Sequence, residues 1–278
     1  MHLDAEKSIK ALVAKGIKIP PQPRVLIELQ KKLASDDFSM RDLTHIISSD
    51  PGITAMLFKA VRSPVFGGGK NFNSLEQVLM VIGVKQTYNL VQAVALSSTI
   101  SDATRKAFDI FWTRSQEIAQ IAALIAADRV SVCNIFPDQA YMAGIFHECG
   151  VPVLMQRFKD YCGKLHLDST ACWPNLLEED KLYDVDHCSI GYLVAHHWKL
   201  PDFICQAILY HHEMPHEELG AVRTLVANLQ LAIYFYHRIT RTDHPLWWKI
   251  RQEVLTELGL TPDGEQAYYE DISEQFLA

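Results

Sequence analysis

Apolar residues in this chain recur every three or four positions, and no segment alternates apolar with polar over the length of a strand. That single pattern restricts the fold to packed helices. Leu26, Leu29 and Leu33 keep the spacing after the stiff stretch Pro20-Pro21-Gln22-Pro23. Ser39 has the position of an N-cap, with Asp42 three residues on, and its helix stops near Asp50-Pro51. A helix is expected over Thr54–Val61. Another runs from a Ser74 cap through Ile82, where Gly83 fits the stop, and an apolar helix follows from Gln86 to Ile100. Beyond these the spacing predicts one long helix or two in succession over Phe108–Arg129, then helices over Asp138–His147, Asp186–Trp198, Pro201–His212 and Val222–Ile239.

The expectation is an all-α, two-lobed protein. Its parts are an N-terminal helix (1–15), a first lobe (16–105), a second helical lobe (106–240) and a polar helical tail (241–278) anchored by Trp247-Trp248, with the lobe boundary near Ser101-Asp102. A chain of 278 residues with 49% apolar and 21% charged residues can bury a sizeable core. The net charge of -7 argues against a nucleic-acid-binding role, and the small cluster Arg238, Arg241, Lys249 and Arg251 reads as a solvated helix face. No secretory leader and no uncharged apolar run of about 18 residues is visible, so a cytoplasmic protein without membrane contact is expected. The six cysteines contain no C-x-x-C pair and read as reduced, buried thiols. Gly67-Gly68-Gly69 lacks the Gly-Lys-Ser/Thr of a phosphate loop.

Chemistry is concentrated in the histidines, of which there are twelve. The helices after Asp186 and after Pro201 form two arms of similar length, each rising roughly 17 Å. Antiparallel packing of such arms puts His187 at the same end as His211-His212, and His147-Glu148 sits at another helix end before Gly150 and Pro152. Four imidazoles and a carboxylate suit zinc, iron, manganese or nickel, and a metal there would support phosphoester hydrolysis. A zincin site is excluded, because H-E-x-x-H would need histidine where Val151 stands. His196-His197 lie mid-arm and read as surface or packing residues, while His237 and His244 belong to no constellation in the sequence.

The motifs I-P-P-Q-P (19–23), S-S-D-P-G-I-T (48–54), G-I-F-H-E-C-G (144–150), D-H-C-S-I-G-Y-L-V-A-H-H-W-K-L-P (186–201) and A-I-L-Y-H-H (207–212) stand in the order of the HDOD family, which the chain resembles from about Gly16 to Phe235. That family is a branch of the HD phosphohydrolase superfamily. The resemblance implies an all-helical, two-lobed bacterial domain serving signalling or regulation through a protein partner or a small nucleotide-like ligand, with phosphohydrolase activity lost. It also implies departures here. Arg114 stands where an active HD site has its first histidine, Glu148 replaces the aspartate of the His-Asp pair, and Asn228 replaces the late aspartate. His187, His211 and His212 match the later histidines of the longer, two-metal HD-GYP pattern, and Arg62 replaces a usual asparagine. An arginine is always protonated and cannot ligate a metal, so Arg114 is expected to pair with Glu148 and stand in for the missing cation. No cofactor is expected; were one present, it would be divalent iron, manganese or zinc.

Overall fold

The structure is a computed structural model that describes residues 16–17, 22, 24–35, 38–50, 53–54, 57–58, 61, 74–96 and 105–277. The expected N-terminal helix (1–15), Ile19, Arg62 and Gly67-Gly68-Gly69 lie outside the described residues. Every regular element among the described residues is a helix, and none is a strand. It divides into two compact units: residues 22–96 form one, and residues 105–277 with Gly16 and Ile17 form the other.

The first unit contains α1 (Arg24–Leu33), α2 (Met40–Ser48) and α3 (Leu75–Leu96). Ser39 and Asp42 close a capping box at the start of α2: the Ser39 hydroxyl accepts from the Asp42 N–H, and the Asp42 carboxylate accepts from the Ser39 N–H at 3.0 Å. Leu26 and Leu29 of α1, Leu43 and Ile47 of α2, and Val78 and Leu79 of α3 are buried. α3 is broken at Gly83, whose backbone (φ 78°, ψ 164°) a side-chain-bearing residue rarely adopts. The sequence places a helix stop at this glycine.

The second unit is built on α4 (Arg105–Cys133), a single unbroken helix of 29 residues, roughly 43 Å long. Its Ile118, Ala119, Ile121, Ala122 and Ile125 are fully buried. α5 (Pro137–Phe146) lies against it so closely that a Cβ on Gly144 would come within 2.5 Å of the Ala119 Cα. After α6 (Val151–Arg157) and the short α7 (Tyr161–Lys164), α8 (Leu176–Tyr183) starts at Asn175, whose side chain accepts from the N–H groups of Leu177 and Glu178. The expected hairpin is α9 (His187–His197), capped by Asp186, and α10 (Asp202–Tyr210).

α11 (Ala221–Thr240) packs on α4, and α12 (Trp247–Glu257) and α13 (Glu265–Leu277) fold back onto this pair. Residues 241–277 are thus part of the bundle. Arg223 of α11 bonds Glu253 and Glu257 of α12 at 3.0 and 3.1 Å. Only one tryptophan of the Trp247-Trp248 pair anchors the segment: Trp247 is fully buried and stacks on Tyr234 at 4.1 Å, whereas Trp248 is 71% exposed. No described helix is long and apolar enough to cross a membrane.

Candidate metal centre

Three histidines stand at helix ends, each held by its Nδ1. His187 opens α9, and Glu179 of α8 receives both its backbone N–H at 2.9 Å and its Nδ1 at 2.7 Å. The other oxygen of Glu179 accepts the hydroxyl of Tyr161, and both Glu179 and Tyr161 are fully buried. His147 and His211 are the residues that end α5 and α10. Each turns its Nδ1 back three residues, to the carbonyls of Gly144 and Ile208, at 2.7 Å in both cases. An Nδ1–H committed to an oxygen leaves Nε2 free to accept, which is how proteins orient histidines toward metals.

The Nε2 atoms converge. That of His187 lies 3.4 Å from Nε2 of His211 and 3.0 Å from Nε2 of His212. Burial works against charge on His187, but Cys188 and Glu179 beside it outweigh burial and hold its pKa well above the ordinary value. Burial and then the neighbouring imidazoles push His211 and His212 well below theirs. Cys188 completes the group: its Sγ is 3.6 Å from His211 Nδ1, and the ligand atoms of His187, Cys188, His211 and His212 all lie within 4.8 Å of one another.

His147 borders this cluster, its ring 5.1 Å from that of His211, and its Nε2 has no hydrogen-bonding partner within the protein. Glu148 Oε2 is likewise buried and unpartnered. His147, Glu148, His211 and His212 line one cavity of about 350 Å³, which Trp173, Gln230, His237 and His244 also line. The donor set suits a transition metal: His187, Cys188, His211 and His212 gather imidazole nitrogens and a thiol, and His147 and the Glu148 carboxylate share a cavity with His211 and His212.

The expected pairing of Arg114 is corrected here. Arg114 and Glu148 form no ion pair. The Arg114 guanidinium instead donates to the carbonyls of Cys172 at 2.9 Å and Thr170 at 3.3 Å and lies 3.7 Å over the Trp173 ring. Two carbonyl acceptors and an aromatic face surround the buried cation, and Arg114 is not among the residues that line the cavity. Asn228 is buried on α11 with Oδ1 unpartnered, but the cavity is lined from that helix by Gln230, Ile233 and His237.

Sequence reasoning missed Glu179 and Tyr161, the partners of His187. Glu179 lies in the polar run Glu178-Glu179-Asp180, which carries no local sign of burial. Cys188, read as a packing thiol, and the His237–His244 pair, with rings 4.6 Å apart, were also missed. The adjacency of Cys188 to His187 was the one available signal.

The HDOD domain model matches residues 19–214. Among curated proteins, an uncharacterised protein of Treponema pallidum (strain Nichols) is 25% identical over 225 residues, which is 78% of this chain; the chain spans less than half of that protein, 42%. Solved structures share the fold. An HDOD domain protein of unknown function from Geobacter sulfurreducens superposes with a TM-score of 0.60 at 21% identity, covering 99% of this chain and 100% of that one. A candidate metal-dependent phosphohydrolase from Shewanella amazonensis SB2B gives 0.67 at 17% identity, covering 98% and 97%. A candidate signal transduction protein from Marinobacter aquaeolei VT8 gives 0.68 at 18%, covering 98% of this chain and 64% of that one. The matched region runs from the first unit through the helix hairpin that brings His187 to His211 and His212, and a match over most of the chain places this protein in the HDOD family.

Proposed function

We propose that this chain is a non-catalytic signalling module whose histidine centre holds a single metal ion, and that its cytoplasmic role is to bind a protein partner or a small nucleotide-like ligand. The observation that carries the reading is the convergence of three imidazole Nε2 atoms, two of them on rings whose Nδ1 is tied to Glu179 or to a main-chain carbonyl. His187, His211 and His212 would hold the ion, with His147 and Glu148 at its border. Such an ion would supply fixed positive charge in a buried pocket and join α9 to the end of α10. Two-metal phosphodiester chemistry needs a second cluster of ligands. The resemblance puts Arg114 and Asn228 at positions that would complete one, and neither side chain can serve as an anionic or imidazole ligand. For a small ligand, the cavity offers the unpartnered acceptors Glu148 Oε2 and Gln230 Oε1 beside the Trp173 ring.

The second reading, a metal-dependent phosphohydrolase with an altered ligand set, draws on one observation: Arg114 turns toward the Thr170 and Cys172 carbonyls and leaves the cavity open. One experiment separates the two. Protein purified without affinity tag or chelator is assayed for metal content, reloaded with zinc, iron or manganese, and incubated with a panel of linear and cyclic phosphodiesters. The expected result is one metal per chain and no turnover. Turnover that requires the metal and vanishes in His211→Ala would establish the enzyme reading; absence of metal after reloading would remove the metal-holding part.

A further inference from the structure

We propose that Cys188 is a ligand of this centre, which makes it a closed three-histidine, one-thiolate site selective for a borderline or soft ion, zinc above manganese or magnesium. The inference rests on the metal-holding reading and specifies its ligand chemistry. Among the described residues, His187, Cys188, His211 and His212 are the set whose ligand atoms lie mutually within 4.8 Å; Glu148 is not part of it. Cys188 is 4% exposed, follows His187 at the start of α9, and has its sulfur 3.6 Å from His211 Nδ1, on the side of the ring that also faces the Ile208 carbonyl, with a ligand atom of each of the three histidines within 4.8 Å. Gly191, one turn further along α9, presents its face to Cys149 and Gly150, so the two thiols near this helix have different surroundings and only Cys188 sits among the imidazoles.

The chemistry discriminates between ions. Thiolate sulfur is preferred by zinc and by copper(I), whereas manganese and magnesium favour carboxylate, carbonyl and water oxygens. Ligation forms a metal–sulfur bond and sends the thiol proton to solvent, so loading at neutral pH releases acid. Three imidazoles and one thiolate fill a tetrahedral shell, which is the arrangement of structural zinc sites and leaves no position for an activated water. The ligand set itself would then account for a site that holds metal without hydrolysing phosphoesters.

Cobalt(II) is the probe. The apoprotein is titrated with cobalt(II) and followed by absorption, with equilibrium dialysis run in parallel. The expected result is intense visible bands of tetrahedral cobalt together with a near-ultraviolet sulfur-to-cobalt charge-transfer band. That band is lost in Cys188→Ser and Cys188→Ala and retained in Cys149→Ser, and zinc displaces cobalt while manganese does not. Cobalt bound without the charge-transfer band in the wild type overturns the thiolate assignment and leaves the histidine centre standing. Failure of the wild type to bind cobalt or zinc in dialysis overturns both. Because the wild-type spectrum decides the first question, the test survives a variant that does not fold.

Discussion

A single carboxylate decides how the site is oriented. Glu179 is completely buried and accepts three hydrogen bonds, from the His187 N–H, the His187 ring and the Tyr161 hydroxyl. Glu179→Ala strips partners from all three donors at once, and breaking a buried charged network of this kind costs about 3–5 kcal/mol. The expected outcome is a large drop in the urea midpoint, with Glu179→Gln intermediate because its amide oxygen still accepts. In whichever variant folds, zinc affinity should fall by about 10- to 100-fold, the usual consequence of losing a residue that orients a ligand. Unchanged zinc affinity in a folded Glu179→Ala protein would show that Glu179 does not orient His187 as a ligand. At the same scale, Ser39→Ala removes a capping interaction in the first unit and should cost about 1 kcal/mol without touching metal binding. Thermal unfolding paired with zinc titration checks that separation.

Elements are brought to the site by close approaches that only glycine permits. A Cβ on Gly150 would lie 2.1 Å from the His187 carbonyl and 2.8 Å from the Gly191 nitrogen, both backbone atoms that cannot swing aside. Gly150→Ala must therefore push the chain after α5 away from α9. Overpacking of this sort costs typically about 1–3 kcal/mol, and here the displaced residue is His187, so metal binding should weaken along with thermal stability. Gly144→Ala, against Ala119, should destabilise similarly while moving α5 and its His147 relative to α4. α12 offers an internal contrast. Trp247→Ala empties a buried aromatic site stacked on Tyr234 and should cost about 3–5 kcal/mol. Trp248→Ala, on an exposed ring, should fall within about 0.5 kcal/mol of wild type. Chemical denaturation of the two single variants measures the difference directly.

Across the whole molecule, the buried histidines set the response to acid. Burial, with His244 and Arg114 nearby, pushes the His237 pKa down to about 3. Burial also lowers His147, His211, His212 and His244. For each of these the unfolded chain binds protons more readily than the folded one between the ordinary value near 6.5 and the depressed folded value. Their contribution is therefore present above about pH 6.5 and lost as pH falls toward the folded pKa values. His187 acts in the opposite sense: its raised pKa contributes stability below about pH 6.5 that is lost as pH rises through the folded value. Five histidines oppose one, so the urea midpoint should drop steadily on going from about pH 7 to about pH 4. His237→Phe, which keeps an aromatic ring against Trp173, should flatten that slope. A midpoint that rises on acidification would contradict the assignment of these rings as neutral.

The sequence by itself determined the all-α class, the cap at Ser39, the break at Gly83 and the hairpin from Asp186 to His212, because spacing, capping and chain-breaking residues act over a few positions and are written locally. It also determined that His187 meets His211-His212, since two antiparallel arms of similar length must bring their ends together. Tertiary structure decided the rest. Glu179 looks like one of several surface acids until α8 packs under His187, and Arg114 looks like a partner for Glu148 until the Thr170 and Cys172 carbonyls and the Trp173 ring arrive first. The polar residues after 241 look like a solvated tail until Arg223 and Tyr234 meet α12. In each case the outcome depends on which of several possible partners comes within about 3 Å of a buried polar group, and that is fixed by the packing of distant helices and carries no local periodicity.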